Sequence, residues 1–478
     1  MISLAPGTTS AMLRSITLRA PSRLSLRALA PARRAGAAAG AAVASAAPLP
    51  RVVLKGGKSK LFAGGQSPMV YSGAVDRVVG RPTPQAGDAV LLCDGKEEAI
   101  AWGFFNPSSM FRVRVMQTAD ELDPAALARP DAPALVEQRI AAAVALRRAL
   151  GLPSPATSVY RLVNSEGDRL SGLVVDVLGD RLVVSSSAAW VELNKQAICE
   201  ALMRHAGLPM GAWRGAADML AEEGWPAGGA AAGAQGEDEI AQGEAANEAG
   251  AEGEAEAGTS GTVVVSEGGI SYAVDPAGQK TGFYCDQRDH RAFVRSVAQG
   301  KDVLDLCCYT GGFALSAAAG GAASALGVDS SAPAVALAQR NAELNGCTDR
   351  CAFEKGDVAP WMSAAAKEGR QWDIVVLDPP KLAPSRKALT GALRKYESLN
   401  ASAMRLVRPG GLLMTCSCSG AVRAAHGDDS FEAMLRGAAR RARRRVTVVR
   451  EGSAAPDHTV DPGHPEGRYL TNVLLRVA

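Results

Sequence analysis

Five segments in the C-terminal half of the chain carry acids, glycines, prolines and thiols of a kind that can do chemistry if one fold gathers them. In VLDLCCYTGGF (303–313) an apolar strand delivers Asp305, and a tight turn through Tyr309, Thr310, Gly311 and Gly312 leads into an Ala-rich helix beginning near Phe313. Two residues without Cβ atoms let backbone approach a ligand closely. The turn is not GxGxxG, which disfavours a dinucleotide or a phosphate. ALGVD (325–329) ends a second strand in Asp329, the position from which an acid holds ribose hydroxyls in nucleoside-binding sheets. Asp357 in EKGDV (354–358) closes a third strand, in reach of an adenine. A lone strand-end acid is more often a cap; three in succession beside a glycine turn describe a cradle for a nucleoside cofactor.

WDIVVLDPPK (372–381) ends in Asp378, Pro379, Pro380 and Lys381. Its prolines fix an extended backbone at the carboxyl edge of a sheet, where a planar base can be held beside the cofactor, with Lys381 placed for the base or a phosphate. PGGLLMTCSCSG (409–420) makes a turn and a fifth strand ending in Cys416 and Cys418, which the two-residue period puts on one face. C5 of a cytosine is a poor nucleophile until something adds to C6, and a thiolate is suited to that reversible addition. An isolated strand-end cysteine reads as a buried inert thiol. Beside a cofactor turn and Asp-Pro-Pro, one of these two reads as a nucleophile.

Holding these groups together takes a sheet that alternates strand, turn and helix, and the chain supplies that pattern after Val274. Ser331 and Pro333 start, and Gly346 stops, the helix between the second and third strands. The expected fold over 276–478 is therefore α/β, a doubly wound Rossmann-like sheet. CDQR (285–288) leads into a helix on the cofactor side, which makes Gln287 a candidate cofactor contact and Arg288 a candidate substrate contact. Upstream, strand-like runs at 89–93, 99–103 and 111–116 alternate with Gly, Pro and Asn turns, so 51–120 reads as a small β-barrel. Residues 131–150 are helical in pattern and are stopped by Gly151 and Pro153. Strands at 158–164, 172–177 and 181–185 and a helix over 192–206 follow, giving an α+β domain with antiparallel strands over 125–275. Inside it, 221–261 loses its large apolar residues and carries ten acids, among them Glu222 and Glu223; this reads as a disordered, solvated insertion.

A chain of 478 residues, 47% of them hydrophobic, can bury several cores. It has no run of about eighteen large apolar residues, so no membrane association is expected. Its nine cysteines lack the spacing of a disulfide scaffold and fit a reducing compartment. Cys347 and Cys351 have no second pair or nearby histidine; they read as structural, and no metal site is expected. The first fifty residues hold six arginines (Arg14, Arg19, Arg23, Arg27, Arg33 and Arg34) among Ala and Ser, with no acid before Asp76. That is an organelle-import composition, with the plastid favoured over the mitochondrion. Without those arginines and the ten acids, 46 basic residues face 39 acidic ones, an excess near +7 that is compatible with phosphate contacts.

At this point the chain resembles a known family: the bacterial 23S ribosomal RNA cytosine-5 methyltransferases that carry an N-terminal PUA domain and a central α+β domain. The resemblance runs from about Val53 to Ala478 apart from the acidic stretch. It rests on MVYSGAV (69–75), YRLVNSEGDRLSGLVVD (160–176), KTGFYCDQRDHR (280–291), YTGGFA (309–314), LDPPK (377–381), SCSG (417–420) and HPEGRYL (464–470). It implies that the barrel contacts RNA, that the cofactor is S-adenosylmethionine, and that Cys418 is the catalytic cysteine with Asp378 at the N3 and N4 edge of the base. Cys416 stands where the family commonly has a hydrophobic residue.

Two features depart from that pattern. AEEG (221–224) replaces a basic Lys-Lys-Glu-Gly segment, as though an RNA contact were lost, while Arg436, Arg440, Arg441, Arg443, Arg444 and Arg445 crowd one helix and its end, where they could bind phosphate. Three other classes remain open: an RNA base N-methyltransferase, since Asp-Pro-Pro also suits an exocyclic amine; a protein or small-molecule methyltransferase; and a non-catalytic RNA-binding assembly factor. The sequence leaves the oligomeric state open, a homodimer included.

Overall fold

The computed structural model describes residues 48–226, 262–275, 282–383, 385–427 and 430–478. The expected import segment, residues 227–261 of the acidic stretch, and Lys280 with Thr281 lie outside them. Short β-branched and aromatic runs build β1 (Arg51–Leu54), β2 (Met69–Tyr71), β3 (Val75–Val79), β4 (Ala89–Cys93), β5 (Ala99–Phe105) and β6 (Phe111–Thr118). They pair in one six-stranded sheet, in the open order β2-β6-β5-β4-β1-β3. Val52, Leu54, Val70, Val90, Leu92, Phe105 and Val113 form its core.

Next come α1 (Pro124–Ala128), α2 (Ala132–Ala149), β7 (Val159–Asn164), β8 (Leu173–Leu178), β9 (Arg181–Ser186), α3 (Ala189–Leu193), α4 (Lys195–Ala206), β10 (Met210–Gly215) and α5 (Ala217–Glu222). Asp131 caps α2 by accepting from Ala134 N at 3.0 Å. The strands β7, β8 and β9 are antiparallel as expected. However, β10, which the sequence reading missed, joins β9 in parallel. The helical crossover through α4 returns the chain to the same end of the sheet, and only a parallel neighbour satisfies that connection.

The expected insertion begins too early at 221. Glu222 ends α5, and Glu223 is buried, accepting from Arg114 Nη2 at 2.7 Å, Ala189 N at 2.9 Å and Asn106 Nδ2 at 3.1 Å. AEEG thus clamps the N-terminal sheet to the central domain through Glu223. Composition alone does not separate one buried acid from the solvated acids that follow it.

The hairpin β11 (Val263–Glu267) and β12 (Ile270–Val274) leads into α6 (Arg288–Val297), β13 (Asp302–Leu306), α7 (Gly312–Ala319), β14 (Ser324–Asp329), α8 (Ala332–Leu344) and β15 (Cys351–Lys355). The chain continues through α9 (Val358–Lys367), β16 (Trp372–Leu377), α10 (Leu389–Leu406), β17 (Val407–Ser417), α11 (Gly420–Arg423), α12 (Phe431–Ala442), β18 (Val446–Gly452) and β19 (Thr471–Val477). The seven-stranded sheet runs β15-β14-β13-β16-β17-β19-β18. The strands from β13 to β17 are mutually parallel, and β19 is antiparallel to both its neighbours.

The apolar runs are continuous because both faces of this sheet are covered. Val303, Ile374, Val376, Met414 and Leu474 pack with Val294, Ala314, Ala317, Val335 and Ala338, while Leu304, Val375, Leu377, Leu413 and Leu475 pack with Met362, Tyr396, Met404 and Met434. All five chemistry-bearing segments therefore end at the carboxyl edge of one parallel sheet.

The loop between β18 and β19 ties that sheet to the central domain. Asp457, buried, pairs with Arg288 at 2.5 Å and accepts from Arg161 N at 2.9 Å, while its carbonyl accepts from Arg147 Nη2 at 2.6 Å. Burial opposes ionisation of Asp457, yet His458, Arg288 and the Arg161 N–H outweigh it and hold the carboxyl at about 2, down from 3.8. The depressed value means a stabilisation of roughly 2 kcal/mol that is complete above pH ~4 and disappears as the pH falls toward 2. Asp457→Ala strands the Arg288 guanidinium in the interior. It is expected to cost about 3–5 kcal/mol, lowering the thermal midpoint by roughly 5 °C. An unchanged midpoint in calorimetry would remove this clamp from the account of stability.

Candidate active site

After β13 the chain adopts left-handed backbone at Cys307 (φ 61°), Tyr309 (φ 49°) and Gly311 (φ 85°). Such conformations persist for a Cys and a Tyr only where the surroundings enforce them. Here Tyr309 N donates to Asp329 Oδ2 at 2.9 Å, Cys308 N to Val328 O at 3.1 Å, Gly311 N to Cys308 O at 2.8 Å, and Asn341 Nδ2 to Thr310 O at 3.1 Å. The zigzag leaves Cys307, Tyr309 and Gly312 partly open and buries Cys308, Thr310 and Gly311. Thr310 and Gly311, both expected to touch the cofactor, are thus the buried members of the turn. A Cβ on Gly311 would stand 2.6 Å from the Phe353 ring. Gly311→Ala is expected to weaken S-adenosylmethionine binding at least ~10-fold by isothermal titration, because positive φ and this clash together distort the turn.

The three strand-end acids have different duties. Asp305 is fully buried; its Oδ2 accepts from Ala314 N at 3.0 Å, and its Oδ1 has no hydrogen-bond partner among the described residues. Burial pushes its carboxyl up to about 8, with Asp378 and Asp329 adding to the shift. It holds the start of α7 and lies behind the cradle, against the expectation of a direct contact. Asp329 accepts from Tyr309 N and, at 2.9 Å, from Ser331 N, and stays partly open. Asp357 is exposed and caps α9 through Ala359 N at 3.1 Å.

Burial raises the Cys307 thiol, and Asp378, Asp329, Asp305 and Asp357 all add to that rise. Four carboxyl groups thus converge on one loop, three of them besides the raised Asp305. A cation placed there relieves their repulsion, and S-adenosylmethionine, with its sulfonium and ammonium groups, fits that field.

On the acceptor side, β17 ends at Ser417 and Cys418 lies one residue beyond it, half-buried. Ser417 Oγ donates to Tyr396 OH at 3.0 Å, and Ala383 N donates to Ser419 Oγ at 3.2 Å, which pins the Cys418 turn to the Asp-Pro-Pro loop. Cys416 is fully buried, accepts from Asn472 Nδ2 at 3.1 Å, and has its thiol driven well above the usual range by burial. Cys418 thus falls just beyond the strand whose period pairs it with Cys416, and the two thiols differ in burial. Pro379 is buried, while Pro380 and Lys381 are exposed on the rim.

Gln287, expected at the cofactor, is almost wholly buried. Its Nε2 donates to Asp378 Oδ2 at 3.0 Å, and its Oε1 meets His290 Nδ1 at 2.6 Å. Arg288, expected at the substrate, is committed to Asp457 and approaches Val159 O at 3.5 Å, because a guanidinium shut in between domains takes the nearest carboxylate.

The sequence reading missed Tyr284, Cys307 and His290. Tyr284 packs edge-on to Tyr309 at 5.1 Å, and burial raises its phenol, with Tyr309, Asp286, Cys418 and Asp378 adding to the rise. It stands between the cofactor turn and the thiol. The only signal for it was its place inside KTGFYCDQRDHR.

The C-terminal part of the arginine cluster, Arg440 to Arg445, lies at the other edge of the sheet, whereas Arg436 lines a pocket with Thr471 and Asn472, which pair with Ser417 and Cys416. Arg444 Nη2 donates to the carbonyl of Val407, which begins β17, and Arg405 Nη2 donates to that of Arg441. The ladder between β16 and β17 puts roughly 17 Å between that edge and the carboxyl ends.

A family profile described as S-adenosylmethionine-dependent methyltransferase matches residues 222–464, and one described as PUA-like domain matches 52–118. The "Ribosomal RNA large subunit methyltransferase I" of Erwinia tasmaniensis is 34% identical over 431 residues, covering 89% of this chain and 99% of that protein. Its namesake from Photobacterium profundum is 34% identical over 405 residues, covering 84% and 93%. Among solved structures, an S-adenosylmethionine-dependent methyltransferase from Streptococcus mutans superposes with a TM-score of 0.66 at 19% identity over 89% of this chain and 99% of that one. Another methyltransferase, solved with SAH, gives 0.67 at 18% identity with the same coverage. Both share the fold. The chain belongs to the S-adenosylmethionine-dependent methyltransferase family, within the group that joins a PUA-like domain to the methyltransferase domain and includes the ribosomal RNA large subunit methyltransferase I proteins.

Proposed function

We propose that this protein methylates C5 of a cytosine in large-subunit ribosomal RNA through a covalent adduct on Cys418. The observation that carries the reading is the placement of Cys418: a half-buried thiol just past the end of β17, with Asp378 and Cys418 both close to Tyr284. S-adenosylmethionine, when bound against Tyr309, Gly312, Asp329 and Asp357, supplies an electrophilic methyl group. The target base leaves its stack and enters between the two loops. The Cys418 thiolate forms a bond to C6, and the C5–C6 π pair moves onto C5, while Asp378 holds the N3 and N4 edge. C5 takes the methyl group. Loss of the C5 proton then restores the double bond and expels the thiolate, so the cysteine is regenerated.

The names of the relatives and the PUA-like domain support RNA as substrate. Bisulfite sequencing of plastid and mitochondrial large-subunit rRNA with and without the protein is expected to show one cytosine losing its protection. An unchanged profile in both sinks the reading. Asp378-Pro379-Pro380 favours one competitor, base N-methylation, which methyl-adenine or methyl-guanine in the product would select. The arginine-rich first fifty residues support import into an organelle, the plastid first. A fluorescent fusion of residues 1–50 that stays in the cytosol contradicts this.

A further inference from the structure

The two halves of the carboxyl edge differ in charge. The cofactor strands β14 and β15 bring Asp329 and Asp357 to the cradle, whereas the segment after Asp378 has no acid until Glu397 and contains Lys381, Arg386, Lys387, Arg394 and Lys395. All five are exposed, and none makes an ion pair or a side-chain hydrogen bond among the described residues. The bond from Ala383 N to Ser419 Oγ holds the start of this segment against the Cys418 turn. Leu393, Tyr396 and Leu399 bury the inner face of α10, which leaves Arg394 and Lys395 outside, ~8 Å along the helix from Leu389. The competing cluster at the opposite edge is partly spent on main chain, since Arg444 bonds the carbonyls of Val407 and Ala478.

We infer that the stretch from Lys381 to Lys395 is the phosphate track for the RNA strand that flanks the target base; this rests on the RNA methyltransferase reading above. The division has a plain electrostatic sense. A cationic cofactor is drawn to the acidic half of the edge, and a polyanion enters over the basic half, where it does not meet the carboxylates of the cradle. The exposed arginines at the far edge are too distant to hold phosphates next to a base lying at Cys418.

The test uses the full chain, a fluorescein-labelled 20-nucleotide single-stranded RNA containing cytosines, and a salt titration. In one variant Arg386, Lys387, Arg394 and Lys395 are all replaced by Gln; in a matched control Arg440, Arg441, Arg443 and Arg445 are. For the first, the slope of log affinity against log salt is expected to fall by about 3, and affinity at 0.1 M salt at least ~10-fold. For the control both stay at wild-type values, and S-adenosylmethionine affinity is unchanged in either protein. If the first variant binds RNA like wild type, or the control is the one that weakens, the track is overturned while the RNA reading stands. If the wild-type chain has no salt-dependent affinity for RNA, the RNA reading itself fails.

Discussion

Cys418→Ala is expected to abolish 5-methylcytosine formation, a loss of at least ~10³-fold or about 4 kcal/mol of transition-state stabilisation, with S-adenosylmethionine affinity unchanged within about twofold. Without the bond to C6 no electron density builds on C5, and no nearby group replaces the thiol. Cys416 lies two residues away but is fully buried, holds Asn472, and has its thiol pushed far above neutrality. Cys416→Ala is expected to cost stability of about 1 kcal/mol and leave turnover largely intact. The pair of variants separates the two thiols cleanly. Methyl transfer from labelled cofactor to rRNA fragments measures turnover, and trapping of the wild-type protein with an RNA containing a C5-blocked cytosine measures the adduct. Cys418→Ala protein that turns over like wild type, or a wild type that forms no adduct, removes covalent catalysis from this chain.

The residues legible in the sequence were those whose duty is local. The glycine turn, the strand-end acids, Asp-Pro-Pro and the cysteine pair each sit at a strand terminus, and apolar periodicity places strand termini well. What stayed hidden was partner choice across the fold. Arg288 reads as a free cation in CDQR, yet it meets Asp457, a residue of the loop before β19 that its own neighbours do not point to. Glu223 reads as one of ten acids but faces Arg114 across a domain boundary. Thr310 and Gly311 carry the recognisable motif, while the alternating left-handed backbone turns Cys307, Tyr309 and Gly312 outward instead. The arginine cluster was visible as composition; only the direction of α12 and the sheet register assign Arg440 to Arg445 to the edge away from Cys418 and leave Arg436 beside Thr471 and Asn472. Spacing along the chain carries face and period, and it does not carry which of two buried charges will find each other.

Gln287 decides between two accounts of the acceptor side, and its removal is expected to act through Asp378. The amide donates to Asp378 Oδ2, so its oxygen faces His290, and His290 must present Nδ1–H to it. Burial lowers the His290 value to about 4, so the ring is neutral at pH 7 and keeps that tautomer across the working range. The chain from His290 through Gln287 fixes the Asp378 carboxylate, which in the proposed reaction holds the base. Asp378→Asn turns an amide toward the Gln287 donor and removes the charge; kcat is expected to fall ~10³-fold. Gln287→Leu keeps the volume and frees the carboxylate to rotate, with an expected loss of about 10–100-fold in kcat and little change in KM for RNA. His290→Leu, one step further back, is expected to lose several-fold. Because the three act in series, Gln287→Leu with His290→Leu should lose no more than Gln287→Leu alone, a non-additivity that independent contacts do not produce. If instead Gln287→Leu raises the dissociation constant of S-adenosylmethionine tenfold and spares kcat, Gln287 is the cofactor contact its place in CDQR suggests, and the bond to Asp378 has no part in catalysis.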